Sequence, residues 1–534
     1  MTDAAPEEAS TLRTGVRAFL ADMPRWVAVA VGTVVVLVAG YLLLWLTSTE
    51  DVEVRGLPQH PLRSDEAARS IRIQAGSTDG VRVLIDDREV PTDEQRGTIG
   101  LRTAALPDGP HQLQVVTPSV IGSSTTTREF TVDSTPPVLR VDDSLRPESP
   151  GKPVTVTGTA EGADTVTVAG KPTQVVNGAF SAVVERPDRE VQVVASDLAG
   201  NRTEKTMTVH IRHPGMRAVH MTGLAWTSAT LREPVLEMAR QGRIDTVELD
   251  IKDESGEVPY DSAVPMANQI GAVKGYYNAR QAVDQLHGMG VRVVGRLVAF
   301  KDPILGEASW RGGHPERVVQ TAGGQPWTGG YGGFAFTNFA DPVVRQYNID
   351  IATEAASLGF DDVLYDYVRR PDGAIEQMRF PGLTTTPEAG IADFLRQTQP
   401  AVRSRGALLG ASVFGISVNR PTQIAQDIRQ MAQYTDYIAP MVYPSHWGPG
   451  EFGVADPDTQ PYEIVRNSLA EFAKAVEGTD VQIIPWLQDF SLGASYGPAE
   501  VAAQIRAAGD GGMPSFLLWA ANCRYHDQAL APAG

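Results

Sequence analysis

The chain has 534 residues, 46 basic and 64 acidic side chains, a formal charge of −18 and a single cysteine. That length exceeds one ordinary domain, the acidic balance and the absence of a basic stripe argue against a nucleic-acid binder, and one cysteine excludes an intramolecular disulfide and any Cys-based zinc site. Composition is globular, with no low-complexity or collagen-like bias.

The first element is an apolar run, WVAVAVGTVVVLVAGYLLLWLT, Trp26 to Thr47, without a charge. As a helix it matches a bilayer core of roughly 30 Å, and Trp26 and Trp45 stand near its two ends, where indoles favour the interface. Arg13, Arg17 and Arg25 precede it, and Glu50, Asp51 and Glu53 follow it. The positive-inside rule predicts a cytoplasmic N-terminus (1–25), a membrane anchor (26–47) and extracellular domains thereafter. A cleaved signal peptide is the alternative, but the run is longer than a signal core and lacks a small-x-small site.

From residue 51 to 213 short alternating runs take over, among them SIRIQAG, VRVLIDD, HQLQVVTP and REFTVDSTPP, and the theme restarts after Pro136 and Pro137 with VLRVDD, VTVTGTAEG and VQVVASDLAGN. Period-2 patterning and turn-rich spacing predict two β-sandwiches, 51–135 and 136–213. LPDGPHQLQVV with REFTVDSTPP, and VQVVASDLAGN, resemble the ends of bacterial immunoglobulin-like repeats; the resemblance implies spacer or adhesive modules without catalytic residues.

Residues 214–534 have another rhythm. Apolar runs at 217–223, 245–253, 291–300, 361–368, 407–415, 435–444, 481–490 and 515–522 alternate with amphipathic stretches of helix length. Eight such alternations predict an α/β domain folded as a (β/α)8 TIM barrel, and no GxGxxG motif follows the first strand to suggest a dinucleotide fold. Active sites of such barrels lie at the C-terminal strand ends. The polar residues there are Asp250, Lys252 and Asp253 on the second strand, Lys301 and Asp302 on the third, and Asp366 and Arg369 on the fourth. Tyr443, Ser445 and His446 end the sixth, Trp486, Gln488 and Asp489 the seventh, and Trp519, Asn522 and Tyr525 follow the eighth.

Carboxylates on several strands, flat aromatics at the same level and no His/Cys cluster fit glycoside hydrolysis, in which one carboxyl group protonates the leaving oxygen and another attacks the sugar or activates water. Each residue also has a structural explanation. Asp250 and Lys252 share side-chain parity and suit an internal ion pair, Asp302 precedes a proline and suits a turn, and Tyr and Trp near strands are often core.

VELDIKDESGEVPYDS, RLVAFKDP, GFDDVLYDYVRRP, YIAPMVYPSHWGPGEFG and IIPWLQDF resemble a family known as "putative glycosyl hydrolase domain", a distant relative of the α-amylase-type barrels, over roughly residues 217–530. The resemblance implies a polysaccharide substrate, Asp366 as nucleophile and Asp489 as transition-state stabiliser; from its place just after Asp366, Arg369 is the expected orienting partner. It also exposes a departure. ALLGASVFGIS lacks the fifth-strand Glu that serves those enzymes as general acid, so Asp489, Asp253 or Glu254 must supply it, or the domain does not hydrolyse glycosides. Asp250, Lys252, Lys301, Arg369, Tyr443, His446, Trp486, Gln488, Trp519 and Asn522 are the candidate substrate-binding residues. No cofactor or metal is expected. A catalytically silent carbohydrate-binding barrel is the second reading, and a metal-dependent deacetylase a weaker third, because nine scattered histidines show no metal-binding spacing.

Overall fold

The computed structural model describes residues 25–47, 52–102, 105–119, 122–147 and 152–532. The expected cytoplasmic segment, with Arg13 and Arg17, and the flanking Glu50 and Asp51 lie outside the described residues. Arg25–Thr47 is one 23-residue helix, and its apolar side chains, such as Trp26, Val36 and Leu37, are mostly exposed. Side-chain surroundings in it are described only at Trp26, Val27 and Val29–Leu42, and among residues so described no helix is long and apolar enough to cross a membrane.

Each of the next two modules pairs two sheets over its own core. In the first, a sheet in the order Glu53–Arg55, Arg72–Gln74, Thr98–Leu101, Thr92–Gln95 faces another built around Gly109–Pro118 and Ser123–Val132. Ile73, Val83, Ile99, Leu113 and Val115 fill the space between them. In the second, Val154–Glu161 alternates buried Val154, Val156 and Ala160 with exposed residues, the period of a half-buried strand. Pairing is antiparallel except where Ser144–Leu145 joins Thr208–Val209 in parallel.

All eight apolar runs of the C-terminal part become parallel strands: β1 (Arg217–Met221), β2 (Thr246–Lys252), β3 (Arg292–Val298), β4 (Asp362–Asp366), β5 (Leu408–Phe414), β6 (Tyr437–Met441), β7 (Gln482–Ile483 and Trp486–Gln488) and β8 (Phe516–Trp519). β1 pairs with both β2 and β8 and β5 with both β4 and β6, so the sheet closes on itself. Outward-facing Leu249, Ile251, Val363, Leu409 and Leu487 pack under the surrounding helices. Ala218, Val294, Leu364, Tyr437, Ala439 and Trp486 form a separate cluster that fills the lumen. Gly410 on β5 makes room for the Tyr437 ring, since a Cβ there would lie 2.2 Å from it.

The second sandwich sits against the N-terminal end of this barrel. Arg186 donates to the Ser404 carbonyl at 3.0 Å, Arg189 to the carbonyls of Gln433 and Thr435, and Leu408 packs into the sandwich core. The opposite, C-terminal mouth is left open.

Candidate active site

A hollow of about 890 Å³ occupies that mouth, and its wall includes Glu254, Arg296, Asp366, Tyr443, Trp486 and Trp519. Its chemical centre is Arg296, on β3 with its side chain in the lumen and only 1% exposed. Nε and Nη2 donate to Asp366 Oδ2 at 3.0 and 2.6 Å. Nη1 donates to Asp250 Oδ1 at 2.8 Å, and Nη2 also contacts Glu254 Oε1. The guanidinium lies 5.0 Å over the Trp519 ring. One buried cation thus joins three carboxylates from β2, the loop after it and β4. A buried charge is tolerable only when paired in this way, and the pairing holds the carboxylates in fixed positions.

Asp366 stands where expected, at the end of β4, 4% exposed, and its second oxygen accepts from the Tyr367 backbone N–H at 2.7 Å. Glu254 reaches in from the loop after β2. Burial pushes its carboxyl up, but the Arg296 charge and hydrogen bond outweigh burial and hold it at about 2. Asp250 lies one layer down, bonded to Arg296 and to His220 Nε2 at 3.0 Å. His220 stacks on Trp519 with ring centres 4.3 Å apart; burial works against its proton, yet the Asp250 carboxylate raises it to about 10. In the same lumen Glu248 is fully buried, neither oxygen has a hydrogen-bond partner, and burial drives its carboxyl up to about 8.

Aromatic groups make up much of the remaining wall. Trp486, whose Nε1 donates to Ser412 Oγ at 3.0 Å, Trp519 and Tyr443 line it as expected, together with His446, in which burial lowers the proton affinity. Tyr331, Tyr367, Phe414 and Trp447 complete it.

Several expected residues are placed elsewhere. Lys252 does not share parity with Asp250, because the β2 register shifts between them. Its ammonium group turns outward to Asp302 at 2.7 Å, Asn348 Oδ1 at 2.9 Å and the Ala299 carbonyl at 3.2 Å. Asp302 in turn caps the helix Pro303–Arg311 through the Leu305 N–H. Arg369 does not touch Asp366. It is sandwiched between aromatics, 4.3 Å over Phe414 and 4.8 Å over Tyr367, and bonds to Tyr331 Oη at 3.0 Å and Asp372 at 3.2 Å. Lys301 sits behind the same wall, 5.1 Å over Tyr367.

Asp253 is spent on its own turn, accepting from the N–H groups of Ser255 and Glu257 and the Ser255 hydroxyl. Asp489 accepts from His526 N at 2.9 Å and Nδ1 at 2.5 Å, fastening the C-terminal loop. Gln488 holds Ser445 at 2.8 Å, and Asn522 accepts from Arg524 N at 3.0 Å in an exposed turn. None of these four lines the hollow.

Arg296 and His220 escape a strand-end reading because they lie within apolar strands. The available signal was that itself: an arginine in the middle of VRVVGRLVAF is too costly to bury without partners. Among the described residues no set of His, Cys, Asp and Glu is arranged to hold a metal ion; the centre of the carboxylate cluster is filled by the Arg296 guanidinium.

A closed barrel with clustered carboxylates and aromatic walls at its C-terminal mouth defines a glycoside-hydrolase-like domain. The chain belongs to the family described as "Putative glycosyl hydrolase domain", which matches residues 218–525. The second sandwich, over 148–213, matches "Glucodextranase, domain B". Among solved structures, the chain is similar to a hypothetical protein from Ruminiclostridium thermocellum, 30% identical over 36% of this chain and 96% of that one, with a TM-score of 0.33. It is also similar to the PgaB (BpsB) glycoside hydrolase domain from Bordetella bronchiseptica, at 15% identity, 58% and 95% coverage and a TM-score of 0.45. A third is Aspergillus fumigatus Ega3 in complex with galactosamine, at 12%, 58% and 93%, with a TM-score of 0.34. No curated protein matches.

Proposed function

We propose that the protein is a membrane-anchored, extracellular glycoside hydrolase or transglycosylase acting on a cell-envelope or extracellular polysaccharide. The observation that carries this reading is the pairing of Asp366 with Glu254 across Arg296 at the floor of an aromatic-walled hollow. Both carboxylates touch one nitrogen, so those oxygens lie within two hydrogen-bond lengths, under about 6 Å. Nearest oxygens that close are compatible with the carboxyl separation of about 5–5.5 Å that a retaining mechanism uses.

In this scheme an Asp366 oxygen attacks the anomeric carbon, the bond to the leaving oxygen breaks, and Glu254 donates a proton to that oxygen. The Arg296 contact keeps Glu254 ionised in the free enzyme; substrate that displaces it from Arg296 leaves burial as the dominant influence, which favours the proton. Water then attacks the glycosyl–Asp366 ester with Glu254 as base; a second sugar hydroxyl doing the same gives transglycosylation. Trp486, Trp519 and Tyr443 offer flat apolar faces for sugar rings.

The anchor reading rests on the sequence, on the uncharged apolar run from Trp26 to Thr47 and on the charge asymmetry around it. A second reading, a carbohydrate-binding barrel without turnover, is favoured by Phe414 in place of a carboxylate at the end of β5 and by the engagement of both cleft carboxylates with one arginine. Incubation with a panel of extracellular polysaccharides distinguishes the two. The hydrolase reading requires new reducing ends that disappear in Asp366→Asn and Glu254→Gln, and a polymer that binds while neither the wild type nor the variants cleave it would leave only the second reading.

A further inference from the structure

The first sandwich carries an arginine-lined hollow of about 630 Å³ on the outer face of its four-stranded sheet, rimmed by Arg55, Arg69, Arg72 and Arg102. The register builds it. Arg55 stands directly opposite Arg72, Arg72 opposite Gly100, and Gly100 opposite Asp93. Val54, Ile73 and Ile99 belong to the core packing on the other face, so Arg55 and Arg72 share the solvent side, joined by Arg102 just past the strand Thr98–Leu101 and by Arg69 on the helix Ser64–Ser70. Like charges directly opposite one another on neighbouring strands cost stability, so sheet packing alone does not select this arrangement. Gly100 supplies the floor: a Cβ there would meet the Arg72 guanidinium at 3.8 Å.

The four cations are committed to different degrees. Arg55 is held by Glu53 through two bonds of 2.8 Å, whereas Arg102 meets Asp93 at 3.3 Å and Arg69 meets Asp65 at 3.9 Å, all with substantially exposed side chains. The two single-contact pairs are weak and exchange readily. Arg72 donates to the Ile71 carbonyl and has no carboxylate partner among the described residues. This cluster stands in a chain whose formal charge is −18. It also lies close to the apolar helix in the chain: five residues separate Thr47 from Glu53, at most about 20 Å of extended chain.

We propose that this hollow binds phosphate groups, and specifically those of anionic lipid headgroups at the membrane surface, seating the first sandwich on the bilayer and fixing where the barrel stands above it. Planar guanidinium forks take phosphate oxygens bidentately, and four of them around one hollow exceed what one headgroup needs. The lipid source rests on the anchor reading and is independent of the hydrolase reading.

The test is amide hydrogen exchange of the full chain in bilayer nanodiscs, comparing anionic phosphatidylglycerol with uncharged-on-balance phosphatidylcholine. Glu53–Arg55, Arg72–Gln74 and Thr98–Leu101 should gain protection on the anionic discs, and the gain should fade with added salt. In the double variant R55A/R72A the gain should fall roughly 30-fold, taking about a five-fold contribution per arginine near an anionic surface, while R88A/R128A, on the opposing sheet, should retain it. Protection on phosphatidylcholine discs on adding inorganic phosphate, lost in R55A/R72A, would support the phosphate site and assign it to free phosphate. Equal exchange on both discs with no response to phosphate, or protection that survives R55A/R72A, overturns the proposal. Turnover of a soluble oligosaccharide by R55A/R72A reads the barrel separately and should stay at the wild-type level.

Discussion

Replacing Glu248 with glutamine should stabilise the barrel, by an amount that grows with pH. Glu248 is fully buried in the lumen and neither of its oxygens is hydrogen-bonded. Burial raises its carboxyl from 4.5 to about 8; His220 and Arg296 pull it down, while Asp250 and Asp366 push it further up. Because the folded value lies above the unfolded one, the folded state holds a proton that the unfolded state has released between those two pH values. Stability therefore falls as pH rises through that window, at about 1.4 kcal/mol per unit. At pH 7 the difference of 2.5 units from 4.5 corresponds to about 3 kcal/mol, which a neutral amide of the same shape does not lose. For a domain of this size that is roughly 5–10 °C in Tm. Thermal unfolding followed by tryptophan fluorescence at pH 4, 6 and 8 should show Glu248→Gln matching the wild type at pH 4 and exceeding it progressively above. A constant offset at all three values, or a variant less stable at pH 8, would show that Glu248 is already ionised and paired in the fold and would refute the reasoning.

Three other outcomes follow from the packing. Lys252→Met leaves Asp302 as an unpaired charge beneath the surface, and thermal melts should show a loss of about 3–5 kcal/mol. Gly410→Ala drives a methyl group into the Tyr437 ring and should cost about 1–3 kcal/mol or more by urea denaturation. Glu254 has a lowered folded value of about 2, so its pairing with Arg296 stabilises the fold above the unfolded value of 4.5 and is lost as pH falls from there towards 2; Glu254→Gln should flatten that part of the acid-unfolding curve, and an unchanged slope would contradict the pairing.

The barrel was legible because parallel strands covered on one side by helices and on the other by a filled lumen read as nearly continuous apolar runs, and helix-length amphipathic stretches separate all eight. Asp366 was legible for the same reason in reverse: a carboxylate at the end of DDVLYDYV has no apolar explanation. Its partner was not. Arg369 is three residues away in sequence, but the chain turns after β4 and carries it into an aromatic sandwich, whereas Arg296, two register positions below Asp366 on the neighbouring strand, reaches up to it with its long side chain. Lys252 was misplaced because a register shift, invisible in the alternation of TVELDIK, reverses its side. Asp253 and Asp489 carry the right chemistry at the right strand ends, yet local N–H and imidazole donors claim them. Glu254, one residue beyond Asp253, is the one that the loop aims at the hollow.

The central claim is that Asp366, held by Arg296 opposite Glu254, performs glycosidic cleavage. Its most direct test is to measure, on one polysaccharide and with one preparation of folded protein, both polymer affinity and the rate of reducing-end release for the wild type and Asp366→Asn. The account predicts comparable affinity with release reduced by at least about a thousand-fold, since a nucleophile that acts only in the transition state contributes to kcat rather than to binding. Release that persists at the wild-type rate in Asp366→Asn would contradict it.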